Sequence, residues 1–151
     1  MTLFTDAKIT DDSTTSTLEA PSAYACMPGF EAVGGFCYFF SADEVNFDKA
    51  RSSCPLGSVL AYPSSAAQMA DLVAYLKSNK SGKNDWWVDL TLNAGKWYWN
   101  DRKDFFQFGR PGEDLGTNGG ACARLHNEPP NYAPWDKECT DSFLFVCQYK
   151  V

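Results

Sequence analysis

The sequence predicts an α+β domain with two helices, antiparallel strands, one long irregular loop and disulfide reinforcement. The 151 residues contain six cysteines, an even number with no Cys-x-x-Cys pair, so the short spacing of zinc ribbons and thioredoxin-like redox sites is absent. A capping-box sequence at Ser65–Gln68 precedes apolar residues at helical spacing. Short β-prone, aromatic-rich runs lie on either side of that segment. Together these features favour a mixed fold with one core.

Two segments have helical patterns. Residues 45 to 54 carry helical spacing through Phe47, Ala50 and Cys54, which predicts a short first helix. The second pattern begins after Ser65, is expected to end within residues 78–82, and repeats apolar residues at three- and four-residue steps: Met69, Leu72, Val73 and Leu76.

The remaining pattern predicts strands and one loop. Residues 107–120 are rich in glycine and have no periodicity, so we expect a long loop there, the kind of segment that often carries binding residues. Asn93–Gly95 is a plausible hairpin connection between two of the strands. The predicted strands are residues 36–40, 86–92, 96–99, 121–125 and 143–149.

The domain is expected to span residues 25–151, preceded by a flexible, acidic, Ser/Thr-rich tail at residues 1–24. That tail lacks a basic stretch followed by an apolar core, so a processed or recombinant start is expected. The formal net charge of −6 and the pI near 4.6 argue against nucleic acid and anionic membrane surfaces as partners. No apolar run approaches about 20 residues, so no membrane insertion is expected.

Five short motifs follow one another along the chain: Gly35-Phe36-Cys37-Tyr38, Phe47-x-x-Ala50-x-x-x-Cys54, Trp87-Val88-Asp89-Leu90, Trp97-Tyr98-Trp99 and Phe145-Val146-Cys147. Across residues 26–149 they resemble the long form of the C-type lectin-like domain, as in secreted invertebrate lectins. The resemblance implies the pairs Cys26–Cys37, Cys54–Cys147 and Cys122–Cys139, which the number of cysteines alone leaves open. Three disulfides imply a secreted, extracellular protein.

The resemblance also implies positions for a calcium site, because sugar-binding members of the family hold one calcium ion with oxygen ligands in the long loop. Their ligand positions fall here on Arg110-Pro111-Gly112, Gly120, Trp135 and Asp136. Only Asp136 brings a carboxylate, whereas calcium takes about 6–8 oxygens, so we expect no usual calcium site and no cofactor. A differently built calcium site would draw on Glu113, Asp114, Glu128 and Glu138.

The expected ligand surface is the 109–136 region. Aromatic rings there would cover the apolar face of a sugar, while charged and amide groups would bond hydroxyls or charged partner groups. Tyr132, in a proline-flanked turn, is expected to be the better exposed aromatic residue, and Trp135 fits either ligand contact or packing. Trp87, Trp97 and Trp99 are expected in the core. The candidate ligand-binding residues are Arg110, Glu113, Asp114, Asn118, Glu128, Asn131, Tyr132, Trp135 and Asp136.

No catalytic centre is predicted, because the single histidine, His126, is expected on the surface and no base is available for a Ser or Cys nucleophile. The chain is therefore expected to be a secreted recognition domain of the innate-defence type that binds carbohydrate without the usual calcium. A protein-binding domain of the same fold is the alternative. Ice or mineral binding ranks last because the chain has no regular Thr or Asp ladder. The partner is a glycan or a protein, and the oligomeric state is left open.

Overall fold

The computed structural model describes residues 26–80, 85–101, 103–104, 119–128 and 131–150. The predicted tail at 1–24 and most of the predicted loop at 107–120 lie outside these residues. The described elements confirm the α+β prediction and are, in chain order, β1 (Glu31–Val33), β2 (Phe36–Phe40), α1 (Phe47–Ser52), β3 (Val59–Leu60), α2 (Ala66–Asn79), β4 (Trp86–Asn93), β5 (Lys96–Trp99), β6 (Lys103–Asp104), β7 (Cys122–Glu128), β8 (Asn131–Lys137) and β9 (Leu144–Lys150).

The strands pair along the path β1-β2-β9-β4-β5-β6, while β3 pairs with β9 and β7 pairs with both β4 and β8. All these pairs are antiparallel except β4 with β9, which is parallel, with Trp86 opposite Leu144. This one parallel pair adds to the predicted antiparallel arrangement, because the last strand returns between β2 and β4. β9 therefore lies in the middle of the sheet.

Both helices begin at side-chain caps. The Asn46 side chain accepts a hydrogen bond from the Lys49 amide at 2.9 Å, so α1 is shorter than the predicted 45–54. Ser65 accepts from the Gln68 amide at 3.1 Å, as its capping-box sequence predicts. α2 then runs to Asn79, and its buried face contains the predicted apolar residues and also Gln68.

The core is rich in aromatic residues. Trp87, Trp97 and Trp99 are buried, as expected, and Trp86 joins them. Fully burying one large apolar side chain contributes roughly 1.5–3 kcal/mol. Tryptophans on both faces of β4 therefore fix this strand firmly between the helices and its neighbouring strands.

The three predicted disulfides are confirmed: Cys26–Cys37, Cys54–Cys147 and Cys122–Cys139. Cys54–Cys147 joins the chain just after α1 to β9 across 93 residues, and closing a loop of that size stabilises the fold by about 4–5 kcal/mol in the chain-entropy description. Cys122–Cys139 ties the start of β7 to the chain after β8. Nowhere in the described ranges is there a helix of the length and apolarity that crossing a membrane requires.

Candidate functional site

The described part of the predicted ligand surface is a hairpin of β7 and β8, paired from Cys122 opposite Lys137 to Glu128 opposite Asn131. The prediction that Tyr132 lies in a proline-flanked turn is wrong, because it lies within the strand β8. Pro134 is compatible with that strand since β8 pairs with β7 alone among the described strands, and an edge strand tolerates a missing N–H donor.

Tyr132 is a core residue, so the expectation that it is exposed is wrong. Only 2% of its surface is accessible, and it belongs to the main apolar cluster. The cause is the packing of β8 against α2, which covers the face of the strand that carries the ring. Its hydroxyl lies 3.5 Å from the Lys80 carbonyl oxygen, and burial raises the pKa of the phenol.

The environment of Trp135 is compatible with either of the two predicted alternatives, ligand contact or packing. It is half-buried, and its ring packs edge-on against the imidazole of His126 with centroids 5.6 Å apart. Part of the indole surface therefore faces solvent. The strand that carries the indole, β8, is held in place by its neighbour β7. Of the other candidates, Glu128 and Asn131 lie on strands but their side chains are not described, whereas four lie wholly outside the described residues: Arg110, Glu113, Asp114 and Asn118.

A nearly buried ion pair fixes the hairpin to the chain before β4. Asp85 Oδ2 accepts a hydrogen bond from Arg124 Nε at 3.0 Å, and these side chains are 12% and 10% exposed. The same oxygen lies 2.8 Å from His126 Nδ1, while Asp85 Oδ1 accepts from the Asn127 amide at 2.9 Å. Arg124 Nη1 also donates to the Asp136 carbonyl at 2.9 Å, so its guanidinium joins both hairpin strands. His126 is thus a half-exposed partner of this cluster.

Neither Asp85 nor Arg124 is among the site residues predicted from the sequence. A signal was present in β7, where the charged residue Arg124 stands between the apolar residues Ala123 and Leu125. Buried arginines are almost always paired with an acidic group, so a carboxylate partner is expected for Arg124. Which carboxylate it contacts is a tertiary fact, since Asp85 lies 39 residues away.

The Asp136 carboxylate is engaged by the backbone. Its Oδ2 accepts a hydrogen bond from the Gly119 amide at 3.0 Å. Gly120, at φ +128°, approaches β8 so closely that a Cβ atom would overlap the backbone of Lys137 and Glu138. A side chain therefore has no room at position 120, where the resemblance would place an acidic ligand.

The residues at this place do not fit a calcium ion. Arg110, Gly112, Gly120 and Trp135 have no side-chain oxygen, and one carboxylate falls far short of the about 6–8 oxygens that calcium requires. Within the described ranges, no three His, Cys, Asp or Glu side chains are grouped closely enough to hold a metal ion.

A second buried carboxylate, Asp89, lies on β4 away from the hairpin. It is 2% exposed and contacts Arg51 of α1 at 2.6 Å, and Arg51 also contacts Asp101 at 3.0 Å. The Asn100 amide donates to the other Asp89 oxygen at 2.9 Å. Burial raises the pKa of Asp89, and the hydrogen bonds from Asn100 and Arg51 offset part of that rise. This cluster joins α1 to the β4–β5 hairpin, so its role is structural.

The comparisons with known proteins agree with the motifs. The family profile described as "Lectin C-type domain" matches residues 43–149. The chain belongs to the C-type lectin domain family. Ovocleidin-17 of Gallus gallus is 30% identical over 138 residues, which are 82% of this chain and 95% of that protein. The crystal structure of ovocleidin-17, described as a major protein of the eggshell calcified layer, aligns with a TM-score of 0.67 at 28% identity, covering 84% of this chain and 100% of that one.

Two further proteins show the range of similarity. A "C-type lectin mannose-binding isoform" of Oxyuranus scutellatus is 26% identical over 139 residues, which are 87% of each chain. The crystal structure of human lithostathine has a TM-score of 0.71 at 24% identity, covering 90% of this chain and 99% of that one. At that identity the likeness shows the fold alone.

Proposed function

We propose that this chain is an extracellular, non-catalytic recognition domain that binds carbohydrate through the 109–136 region without the family's usual calcium ion. The observation that carries the proposal is Trp135. It occupies a position where the resemblance would place an oxygen ligand for calcium, and it is a half-buried ring packed against His126. An aromatic platform of this kind can cover the apolar face of a pyranose without a metal.

The geometry around Trp135 supports the calcium-independent part of the proposal. The Asp136 carboxylate accepts the Gly119 amide, and position 120 has no room for a side chain. Neighbouring positions thus stabilise the backbone here instead of offering oxygens to an ion. The Asp85–Arg124 pair holds the hairpin in place, which lowers the ordering cost of binding.

Two further observations support the wider proposal. Three disulfides persist in oxidising surroundings, which supports an extracellular location. The snake relative is described as mannose-binding, which supports a sugar as the ligand class. We assign the ligand surface to the predicted set from Arg110 to Asp136, without Tyr132, whose burial removes it from contact.

A glycan array tests this proposal when it is probed first with calcium and then with a chelator. We expect binding in both arms. Trp135→Ala should weaken binding to the recognised glycan by about 1–3 kcal/mol with a melting temperature close to that of wild type. Tyr98→Ala is the matched control, because Tyr98 is a half-buried aromatic residue on β5, and it should leave binding unchanged.

The other outcomes contradict the proposal in distinct ways. Binding that disappears with chelator would show that a calcium site exists. Silence in both arms would indicate a protein ligand, to be tested by cross-linking to candidate partners. Equal loss of binding in Trp135→Ala and Tyr98→Ala would attribute the effect to the fold and not to a contact.

A second candidate function is association with a calcium mineral, which is favoured by the similarity to ovocleidin-17 of the eggshell calcified layer. Adsorption to calcite powder at physiological ionic strength tests it, with a glycan-free buffer and an unrelated acidic protein of similar net charge as the control. Retention no greater than that of the control protein would exclude mineral association.

A further inference from the structure

A cavity of about 320 Å³ opens where β2, β3 and β9 meet, and none of its lining residues belongs to the 109–136 region. Three aromatic residues and three polar residues line most of it. They are Phe36, Tyr62 and Tyr149, and Ser64, Gln148 and Lys150.

Gln148 presents hydrogen-bond donors to this cavity. A backbone N–H can only donate, so the Ser64 amide, 2.9 Å from Gln68 Oε1, fixes the orientation of the Gln68 side chain. Gln68 Nε2 then donates to Gln148 Oε1 at 3.2 Å, and the Tyr62 amide donates to the same oxygen at 3.1 Å. Both contacts leave Gln148 Nε2 as the outward group.

This Nε2 group is the unusual feature of the cavity. Gln148 is only 5% exposed, yet its Nε2 has no hydrogen-bond partner in the part of the chain that the structure describes, and protein does not enclose it. It therefore opens to the cavity. A buried amide held by two fixed contacts, with its donors left for solvent or ligand, is typical of the few placed polar groups that orient a bound molecule.

The walls and the rim complete the site. The Tyr149 hydroxyl accepts a hydrogen bond from the Met27 amide at 2.7 Å, and the Tyr149 ring packs edge-on against Phe30 at 5.0 Å, so this wall is fixed. Lys150 is exposed and makes no ion pair within the described residues. The cavity thus combines flat apolar walls, amide donors and one exposed cation.

We propose that this cavity is a second ligand site that takes a single pyranose ring carrying a carboxylate, of the uronic acid or sialic acid type. Its volume lies at the small end of ligand pockets, which hold roughly 300–1,000 Å³, so one ring fits. Gln148 Nε2 and the Lys150 ammonium are donors and select an acceptor-rich group, while aromatic walls accept the apolar face of the ring.

The overall charge of the chain does not prevent this binding. The net charge of −6 repels an anion at long range, but physiological salt screens exposed charges beyond about 8 Å. Lys150 lines the cavity and acts within that distance. The site is independent of the proposed function, because it shares no residue with the Trp135 surface.

The experiment is a titration of the ¹⁵N-labelled protein, followed by NMR in the presence of chelator, with N-acetylneuraminic acid, glucuronic acid and the neutral methyl glucoside as separate probes. We expect the Gln148 side-chain amide signals to shift with at least one of the acids and not with the glucoside. The acid that binds shows whether the ligand is of the uronic acid type or of the sialic acid type. Lys150→Gln should weaken the binding of that acid by about tenfold or more. Lys96→Gln makes the same charge change at an exposed residue of β5 and should leave the affinity for the acid unchanged.

Three results would overturn the site: no shift at Gln148 with either acid at millimolar concentration, equal binding of the glucoside, or equal affinity in Lys150→Gln and wild type. The Trp135→Ala variant separates this failure from that of the proposed function. Acid binding that is lost in Trp135→Ala but kept in Lys150→Gln would move the ligand to the hairpin surface and refute the cavity site alone.

Discussion

Replacing Arg124 with glutamine should destabilise the chain by about 3 kcal/mol. The guanidinium and the Asp85 carboxylate are 3.0 Å apart and only 10% and 12% exposed, and breaking such a buried pair costs about 3–5 kcal/mol because it leaves an uncompensated charge. We expect the low end of that range, because the Asn127 amide and His126 still contact Asp85 in the variant. For a chain of this length the change corresponds to a fall in melting temperature of roughly 6–12 °C.

The chain offers a matched control in the ion pair between Lys137 and Asp141. Its nitrogen and oxygen are 3.5 Å apart and its side chains are 40% and 42% exposed. Surface pairs of this kind contribute less than about 1 kcal/mol, so Lys137→Gln should change the free energy of unfolding by less than that. The two substitutions remove the same type of charge from the same hairpin and differ mainly in burial.

Urea unfolding with the disulfides intact, followed by tryptophan fluorescence, measures both variants. The single variant Asp85→Asn and the double variant Asp85→Asn/Arg124→Gln complete a double-mutant cycle. The destabilisation of the double variant should be smaller than the sum of the destabilisations of the two single variants. If Arg124→Gln costs no more than Lys137→Gln, or if the cycle is additive, the hairpin does not depend on this buried pair.

Three further predictions concern single positions. Tyr132→Ala should cost about 3–5 kcal/mol in urea unfolding, whereas Tyr132→Phe should cost under about 1 kcal/mol because the hydroxyl contact to Lys80 is 3.5 Å long; equal costs would contradict its place in the core. Gly120→Ala should cost about 2 kcal/mol or more, measured the same way, because its backbone has φ +128° and faces Lys137; an unchanged urea midpoint would refute the close approach. The raised pKa of Asp89 means that the folded chain binds more protons than the unfolded chain as the pH rises above 3.8, so Asp89 lowers stability through that window. The stability of Asp89→Asn relative to wild type should therefore increase as the pH rises from 4 to 7, measured as a series of urea midpoints. A relative stability that decreases over that range would show that the pKa is depressed.

Local signals predicted those elements whose formation depends on neighbouring residues. α2 needed only the Ser65 cap and a regular apolar face, and the strand pair β4–β5 needed only its β-prone runs and a short turn. β8 was missed because prolines, which are typical of turns, stand just before it at 129 and 130 and within it at 134. The partner that makes it a strand is β7. Tyr132 was misplaced for the same reason, since its burial depends on α2, more than 50 residues earlier in the chain.

The sites depend on still more distant contacts. Asp85 and Arg124 lie 39 residues apart, and Gln68 and Gln148 lie 80 apart, so no pattern within a short window could identify either pair. The resemblance to the C-type lectin family supplied the disulfide pairing and the position of the missing calcium ligands. It gave no indication of the β2–β3–β9 cavity, whose polar residues come from the segment before α2 and from the last strand.

Each proposed surface has a support of its own, which is why we expect them to act independently. Cys147, Gln148, Tyr149 and Lys150 are consecutive on β9, the central strand that Cys54 tethers, so the cavity lies on a fixed part of the sheet. The β7–β8 hairpin is held instead by Cys122–Cys139 and the Asp85–Arg124 pair. Because preorganised groups lose little freedom on binding, each surface can be optimised for its ligand without disturbing the other. A substitution that loosens the hairpin should therefore weaken binding at Trp135 and leave acid binding at Lys150 intact.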